Sequence, residues 1–223
     1  MKIEMNTRLL LIFIFFSVFL MIGPALAQKI KENPAQDEKV RQFLKSREGE
    51  WYDMNVPTND GQILFDLIIK NKYKNALEIG TSTGHSGIWI AWALSKTGGK
   101  LTTIEIDEDR YKTALANFKA AGLSEFIDAR LADAHELVKQ LPGPFDFVFC
   151  DADKEWYKNY FIAVAPKMQV GGCFTAHNVQ ANRRRFGWIK EFLDQVESQS
   201  DFETTIDKSS SAGISISSKK AGK

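Results

Sequence analysis

The chain has 223 residues, of which 44% are hydrophobic and 26% charged, with a formal net charge of +1. That length supports one globular core, and the near balance of charge excludes a basic surface built for a polyanion, so no nucleic-acid partner is expected. Two cysteines are too few for a disulfide-stapled scaffold.

The first segment places Lys2 and Arg8 before the run "LLLIFIFFSVFLMI", followed by "GPALA" and the polar "QKIKENPAQDEK". A basic start, an apolar run and small residues in that order read as a secretory signal peptide over 1–27, which implies export to a periplasm or the exterior. The alternative is an uncleaved membrane anchor, because the run approaches the length that spans a bilayer, and only then is a membrane partner expected. Loss of residues 1–27 would remove Lys2, Glu4 and Arg8 and leave acidic and basic residues equal in number. Residues 28–53 read as a polar helical segment covering one side of a site, and 54–223 as the main domain.

Beyond residue 60, short apolar runs alternate with amphipathic ones, the pattern of an α/β fold with a mostly parallel sheet. Helices are predicted over 60–70, 85–96, 108–121, 134–140, 154–165 and 184–197. Strands are predicted over 75–79, 100–106, 126–131, 145–150, 172–176, 202–207 and 212–218. The "KSSS" between the last two strands is too short for a helix, so they are expected to form an antiparallel hairpin. Cys150 and Cys173 fall on adjacent strands at different heights and are expected to stay free thiols. Arg183-Arg184-Arg185 reads as a solvated helix start.

Two places in this frame carry chemistry. The stretch "ALEIGTSTGHSGIWIA" is a strand, a glycine turn and a helix, in which Gly80 and Gly84 let the backbone approach a ligand at the carboxyl end of the strand. The spacing G-x-x-x-G-x-x-G is neither the dinucleotide fingerprint nor the phosphate loop. The next strand ends in Glu105, placed to accept ribose hydroxyls, while Glu78 adds a carboxylate and Asp133-Ala134 follow the third strand where an adenine would lie. Carboxylates without a phosphate-binding lysine suit a positively charged nucleoside such as S-adenosylmethionine (SAM). The second place is "GGCFTAHNVQ", a buried strand that ends in His177 and Asn178, an imidazole and an amide able to hold a metal or a substrate.

The stretches "MNVPTNDGQILFDLIIKNKYKNALEIGTSTGHSGIWIAWAL", "LTTIEIDEDRYKTALANFKAAGL" and "FDFVFCDADKEWYKNYF" resemble the catechol and caffeoyl-CoA type O-methyltransferase family, from about Trp51 to the C-terminus. M-N-V-x-x-x-x-G-Q, E-I-G-x-x-x-G-x-S and D-A-D-K-x-x-Y carry the likeness. The resemblance implies a Rossmann-like class I methyltransferase fold: a seven-stranded, mostly parallel sheet with an antiparallel C-terminal hairpin and helices on both faces. It implies methyl transfer from SAM to a hydroxyl of a small, aromatic, catechol-like acceptor. Val56, Glu78, Gly80, Ser86, Glu105, Ala134 and Asp151 match family positions that hold SAM. His85 stands where relatives carry Tyr, and Trp51 lies beside the place of an aromatic gate. Relatives form dimers, which leaves a homodimer open.

In the family a divalent metal is held by an Asp from the fourth strand and an Asp-Asn pair from the fifth, with a Lys three residues after the first Asp. Asp151, Lys154 and Asn178 match, and His177 replaces the second aspartate. Three readings stay open. His177 is a ligand with Asp151 and Asn178, in a set better suited to Mn²⁺, Fe²⁺, Co²⁺ or Zn²⁺ than to Mg²⁺; or it is the general base of a metal-free enzyme; or the site binds SAM or its product without turnover. Lys154 is expected to help ionise the acceptor hydroxyl. Asp153 and His135 read as helix-start residues, and Trp156 and Tyr157 as packing or as substrate walls.

Overall fold

The computed structural model describes residues 30–180 and 187–222, so the N-terminal apolar run and the arginine cluster lie outside the described residues. The elements follow in the order α1 (Pro34–Ser46), α2 (Thr58–Asn71), β1 (Asn75–Ile79), α3 (His85–Thr97), β2 (Lys100–Glu105), α4 (Glu108–Ala121), β3 (Ile127–Leu131), α5 (Ala134–Gln140), β4 (Phe145–Cys150), α6 (Tyr157–Val164), β5 (Met168–His177), α7 (Gly187–Glu197), β6 (Phe202–Asp207) and β7 (Ile214–Lys219). Among the described residues no helix is long and apolar enough to cross a membrane.

The strands form one seven-stranded sheet in the order β3-β2-β1-β4-β5-β7-β6. β1 to β5 pair in parallel, and β7 runs antiparallel to both β5 and β6, which gives the expected C-terminal hairpin. Parallel strands are covered on both faces, and the sequence shows it: all six residues of "FDFVFC" in β4 are buried. Alternate side chains feed two cores. Ala76, Phe147, Phe149 and Cys173 pack with α1 to α4, whereas Leu77, Ile79, Val148, Cys150 and Phe174 pack with α5, α6 and α7.

Local signals set the helix ends. Asp107 accepts from the backbone N–H groups of Asp109 (3.0 Å) and Arg110 (2.9 Å) to start α4, and Asp133 accepts from His135 N–H (2.9 Å) to start α5. Pro34 opens α1, which is pinned to α3 where buried Asp37 accepts from Trp92 Nε1 and Lys96 Nζ, both at 2.7 Å. The expected N-terminal helix is therefore present, and the loop after it reaches the carboxyl ends of the strands.

Among the described residues most bounds fall within two residues of the sequence reading, and two elements differ by more. β5 starts at Met168 rather than 172, because its register against β4 jumps from Phe145↔Met168 to Phe147↔Cys173 and the intervening residues, with Gly171 at φ +82°, bulge out of the ladder. The helix expected over 154–165 is a 3-10 turn at Lys154–Trp156, then α6, then a second 3-10 turn at Ala165–Lys167. Cys150 pairs with Ala176, and Cys173 with Phe147, so the two thiols are offset along the strands and stay free and buried.

Candidate active site

Ile79, Ile104, Cys150 and Ala176 stand in register across β1, β2, β4 and β5, so the loops that follow these strands meet at one edge of the sheet. The loops after β1, β2 and β4, with the one after β3, border a cavity of about 450 Å³. Of the residues expected to hold a nucleoside, Gly80, Ser86, Glu105, Asp133, Ala134 and Asp151 line it. Gly80 sits at φ +98°, and a Cβ there would come within 2.9 Å of the backbone of Asp151 and Ala152, so only glycine lets the first turn lie against the fourth strand.

Glu105 is fixed by backbone. Its Oε2 accepts from Ser82 N–H (2.6 Å), and Oε1 accepts from Ile106 N–H (3.1 Å) and Asp107 N–H (3.0 Å). A carboxylate with three such donors is held in one orientation, and Oε2, with a single donor, retains a lone pair that can accept from a hydroxyl. Glu78 lies behind the cavity rather than in its wall, fully buried, with Oε2 accepting from Thr103 Oγ1 at 2.5 Å and Oε1 without a partner among the described residues. Burial pushes its carboxyl up to about 7, against the hydrogen bonds of Ser86 and Thr103 that favour the anion. Val56 is also behind the wall: its carbonyl accepts from His85 Nδ1–H at 2.8 Å.

That bond fixes the state of His85. With Nδ1 donating, Nε2 is free to accept from Trp89 Nε1–H at 3.1 Å, and burial holds the ring's pKa below its ordinary value, so His85 is a neutral imidazole. Trp51 stacks on it, with centroids 4.5 Å apart and planes 16° apart. Trp51 therefore supports the first turn of α3 rather than lining the cavity.

Several cavity residues were not singled out by the sequence reading. Met54, Asn55, Ile106 and Arg110 line the side toward the N-terminal segment, where Arg110 grips Asp53 through Nε and a terminal nitrogen, both at 2.9 Å. Asp153 stands at the start of the Lys154–Trp156 turn, as expected. Its side chain makes no helix-capping bond and instead accepts from Tyr160 Oη–H at 2.6 Å and contacts His135 Nε2 at 3.1 Å. His135 is the partly exposed second residue of α5, as expected, and it also stacks on Trp156 at 3.8 Å and forms part of the cavity wall.

At Asp151 the cavity meets a second group of side chains. Asp151 Oδ1 accepts from Lys154 Nζ and, at 3.3 Å, from Tyr157 Oη–H, while Lys154 also donates to Tyr157 Oη at 2.8 Å. Asp151 Oδ2 lies 3.0 Å from His177 Nδ1, and the other ring nitrogen, Nε2, lies 2.8 Å from Oδ2 of Asp60. Asp60, the third residue of α2, is 1% exposed and His177 4%. Burial lowers the imidazole pKa, but the hydrogen bonds and charges of Asp151 and Asp60 outweigh it and push His177 up to about 9. Asn178 follows in the left-handed region at φ +61°, and neither 177 nor 178 lines the cavity.

The O-methyltransferase family model matches residues 29–199. The chain belongs to the O-methyltransferase family. It is 32% identical over 172 residues to caffeoyl-CoA O-methyltransferase 1 of Eucalyptus globulus, covering 73% of this chain and 70% of that protein. It is 38% identical over 130 residues to the catechol O-methyltransferase of Niastella koreensis, covering 56% of this chain and 58% of that protein. In fold it is similar to the Streptomyces achromogenes O-methyltransferase TomG in complex with SAM, with a TM-score of 0.68 and 24% identity over 86% of this chain and 92% of that one.

This O-methyltransferase is an enzyme that uses SAM, and its residues fit that group: a cavity of adequate size with the carboxylates of Glu105, Asp133 and Asp151 in its wall. They do not fit a divalent metal as the resemblance implies. Both oxygens of Asp151 are engaged and both ring nitrogens of His177 face carboxylates. Among the described residues no group of three or more His, Cys, Asp or Glu side chains is disposed to hold an ion. The same contacts leave His177 no free nitrogen for the role of general base.

Proposed function

We propose that this O-methyltransferase transfers the methyl group of SAM to a hydroxyl of a small, aromatic, catechol-like acceptor. The observation that carries this reading is the junction at Asp151, a carboxylate in the cavity wall that holds the ammonium of Lys154. The catechol and caffeoyl-CoA relatives support the acceptor class. In this reading Glu105 takes the ribose hydroxyls, Asp133 and Ala134 border the adenine, and Gly80, Ser86 and Asp151 border the sulfonium end. SAM supplies, when bound, a methyl group on a sulfonium whose carbon–sulfur bond breaks with its electron pair returning to sulfur.

The chain's own contribution is charge placement. A phenolic hydroxyl has a pKa of about 10, so an acceptor oxygen has to be helped toward its anion at neutral pH. Lys154, held by Asp151 and Tyr157 with its side chain still partly open, offers a fixed positive charge to that oxygen as its proton leaves to solvent. No step passes through a divalent ion. The test is methyl transfer from SAM to a panel of catechols and caffeoyl esters in the presence of a chelator, read by mass spectrometry. A methylated product is expected, and SAM binding without any product would overturn the reading in favour of a non-catalytic SAM-binding protein.

We also propose that residues 1–27 direct export, on the order of their basic, apolar and small residues. N-terminal sequencing of the protein recovered from each cell fraction tests this: a chain beginning at Gln28 outside the cytoplasm is expected, and an intact N-terminus held in the membrane would favour the anchor.

A further inference from the structure

Asp60 is a residue that neither the sequence pattern nor the family resemblance brought forward. It sits in the first turn of α2, and the turn is fixed on both sides. Asn59 Nδ2 donates to the Ser209 carbonyl at 3.1 Å, and Gly61 lies so close to the Trp89 indole that a Cβ there would come within 2.2 Å of it. The carboxylate is thereby aimed at the end of β5, where Oδ2 meets His177 Nε2 at 2.8 Å while Oδ1 has no partner among the described residues. The ring's other nitrogen meets Asp151 Oδ2 at 3.0 Å, and Asp151 Oδ1 holds Lys154.

Metal ligation requires a lone pair on an imidazole nitrogen. Here each nitrogen is spent on a carboxylate. Each ring nitrogen lies within hydrogen-bond distance of a carboxylate oxygen, so an ion can reach neither without breaking one of the two contacts. Asp60 supplies one of the two contacts that lock the ring, and it is the contact from outside the strand ends.

We propose that Asp60 is a positioning residue that clamps His177 between itself and Asp151, so that this hydrogen-bonded chain of side chains occupies the place of a divalent ion and the enzyme neither binds nor needs one. The inference rests on the reading of Asp151 and Lys154 as the acceptor end. Asp60 acts through His177 on Asp151 and so on the placement of Lys154; it does not touch the cofactor cavity.

The experiment combines Mn²⁺ binding, followed by the electron paramagnetic resonance signal of free Mn²⁺, with methyl transfer by chelated enzyme, on the full chain and its variants. The parent is expected to take up no Mn²⁺ at millimolar concentration, and His177→Asp, which restores a second carboxylate, to bind it at least ~10-fold more tightly. Asp60→Ala is expected to lower kcat while SAM affinity stays within about twofold, and Asp60→Glu to recover part of the loss, which a purely structural role would not produce. Stoichiometric Mn²⁺ binding by the parent, lost in His177→Ala, would overturn the proposal, as would an Asp60→Ala variant with unchanged kcat. Should no acceptor be methylated by any form, the proposed acceptor class fails while the Mn²⁺ titration still decides this inference.

Discussion

The two ends of the site are built by opposite means. At the cofactor end the backbone holds the functional groups: Glu105 is fixed by the N–H groups of Ser82, Ile106 and Asp107, and Gly80 lies against the backbone of Asp151. At the acceptor end side chains hold side chains, from Asp60 through His177 and Asp151 to Lys154 and Tyr157, and the Asp60–His177 contact joins residues 117 positions apart. A backbone-held group depends on local turn geometry and tolerates change elsewhere. A side-chain network fails or shifts as a unit when one member is removed.

Breaking each end separately should give different signatures. The largest effect is expected from Lys154→Met, which keeps the length of the side chain and removes its charge. Turnover should fall by about 10²-fold or more while SAM affinity stays close to that of the parent, as steady-state kinetics and calorimetry would show. A parallel loss of SAM affinity would mean that the two ends are not separate.

Glu105→Ala should act in the reverse sense. Each hydrogen bond to a charged group contributes about 1.5–3 kcal/mol, so loss of the ribose contacts should weaken SAM binding by ~100-fold with the circular dichroism spectrum retained. Unchanged affinity would place the ribose elsewhere.

Glu78 sharpens the comparison through pH. Its folded-state pKa, raised by burial to about 7 from an ordinary 4.5, lies above the unfolded value. The group therefore contributes stability that is fully present below about pH 4.5 and lost as pH rises through about 7, on the order of a few kcal/mol. Glu78→Gln should flatten that part of the stability–pH curve measured by urea unfolding. An identical slope in parent and variant would show that the carboxyl is not held in its neutral form.

The smallest effect is expected from Tyr157→Phe. The ring stays packed against Trp188 and Phe192, and only the hydroxyl that braces Lys154 and Asp151 is lost, so kcat should drop a few-fold and stability by about 1 kcal/mol. A loss as deep as that of Lys154→Met would make the phenol itself part of the chemistry.

This division also explains how far the sequence could be read. The strands Asn75–Ile79 and Phe145–Cys150 and the helices Glu108–Ala121 and Ala134–Gln140 match their predicted bounds, because apolar runs, acidic caps and glycine stops act within a few residues. The glycine turn and Glu105 were legible for the same reason. The start of β5 was not, since the predicted strand begins at Gly172 and only the pairing with β4 shows that the strand reaches back across a bulge to Met168. Asp60 sits in "TNDGQ", where an acid in a first helical turn has an ordinary electrostatic explanation, and nothing nearby signals a partner on the fifth strand. His177 was recognised as the departure from the family pattern, but its consequence depends on Asp60 and could be seen only with both side chains in place. Asp153 and His135 were set aside as helix-start residues because their contact with each other spans a strand and two loops.

One calorimetric series tests the separation of the two ends most directly: SAM titrated into the parent, Glu105→Ala and Asp60→Ala under identical conditions. Binding should be reduced by ~100-fold in Glu105→Ala and stay within about twofold of the parent in Asp60→Ala. Equal losses in both variants, or binding that survives the Glu105 substitution, would contradict the account.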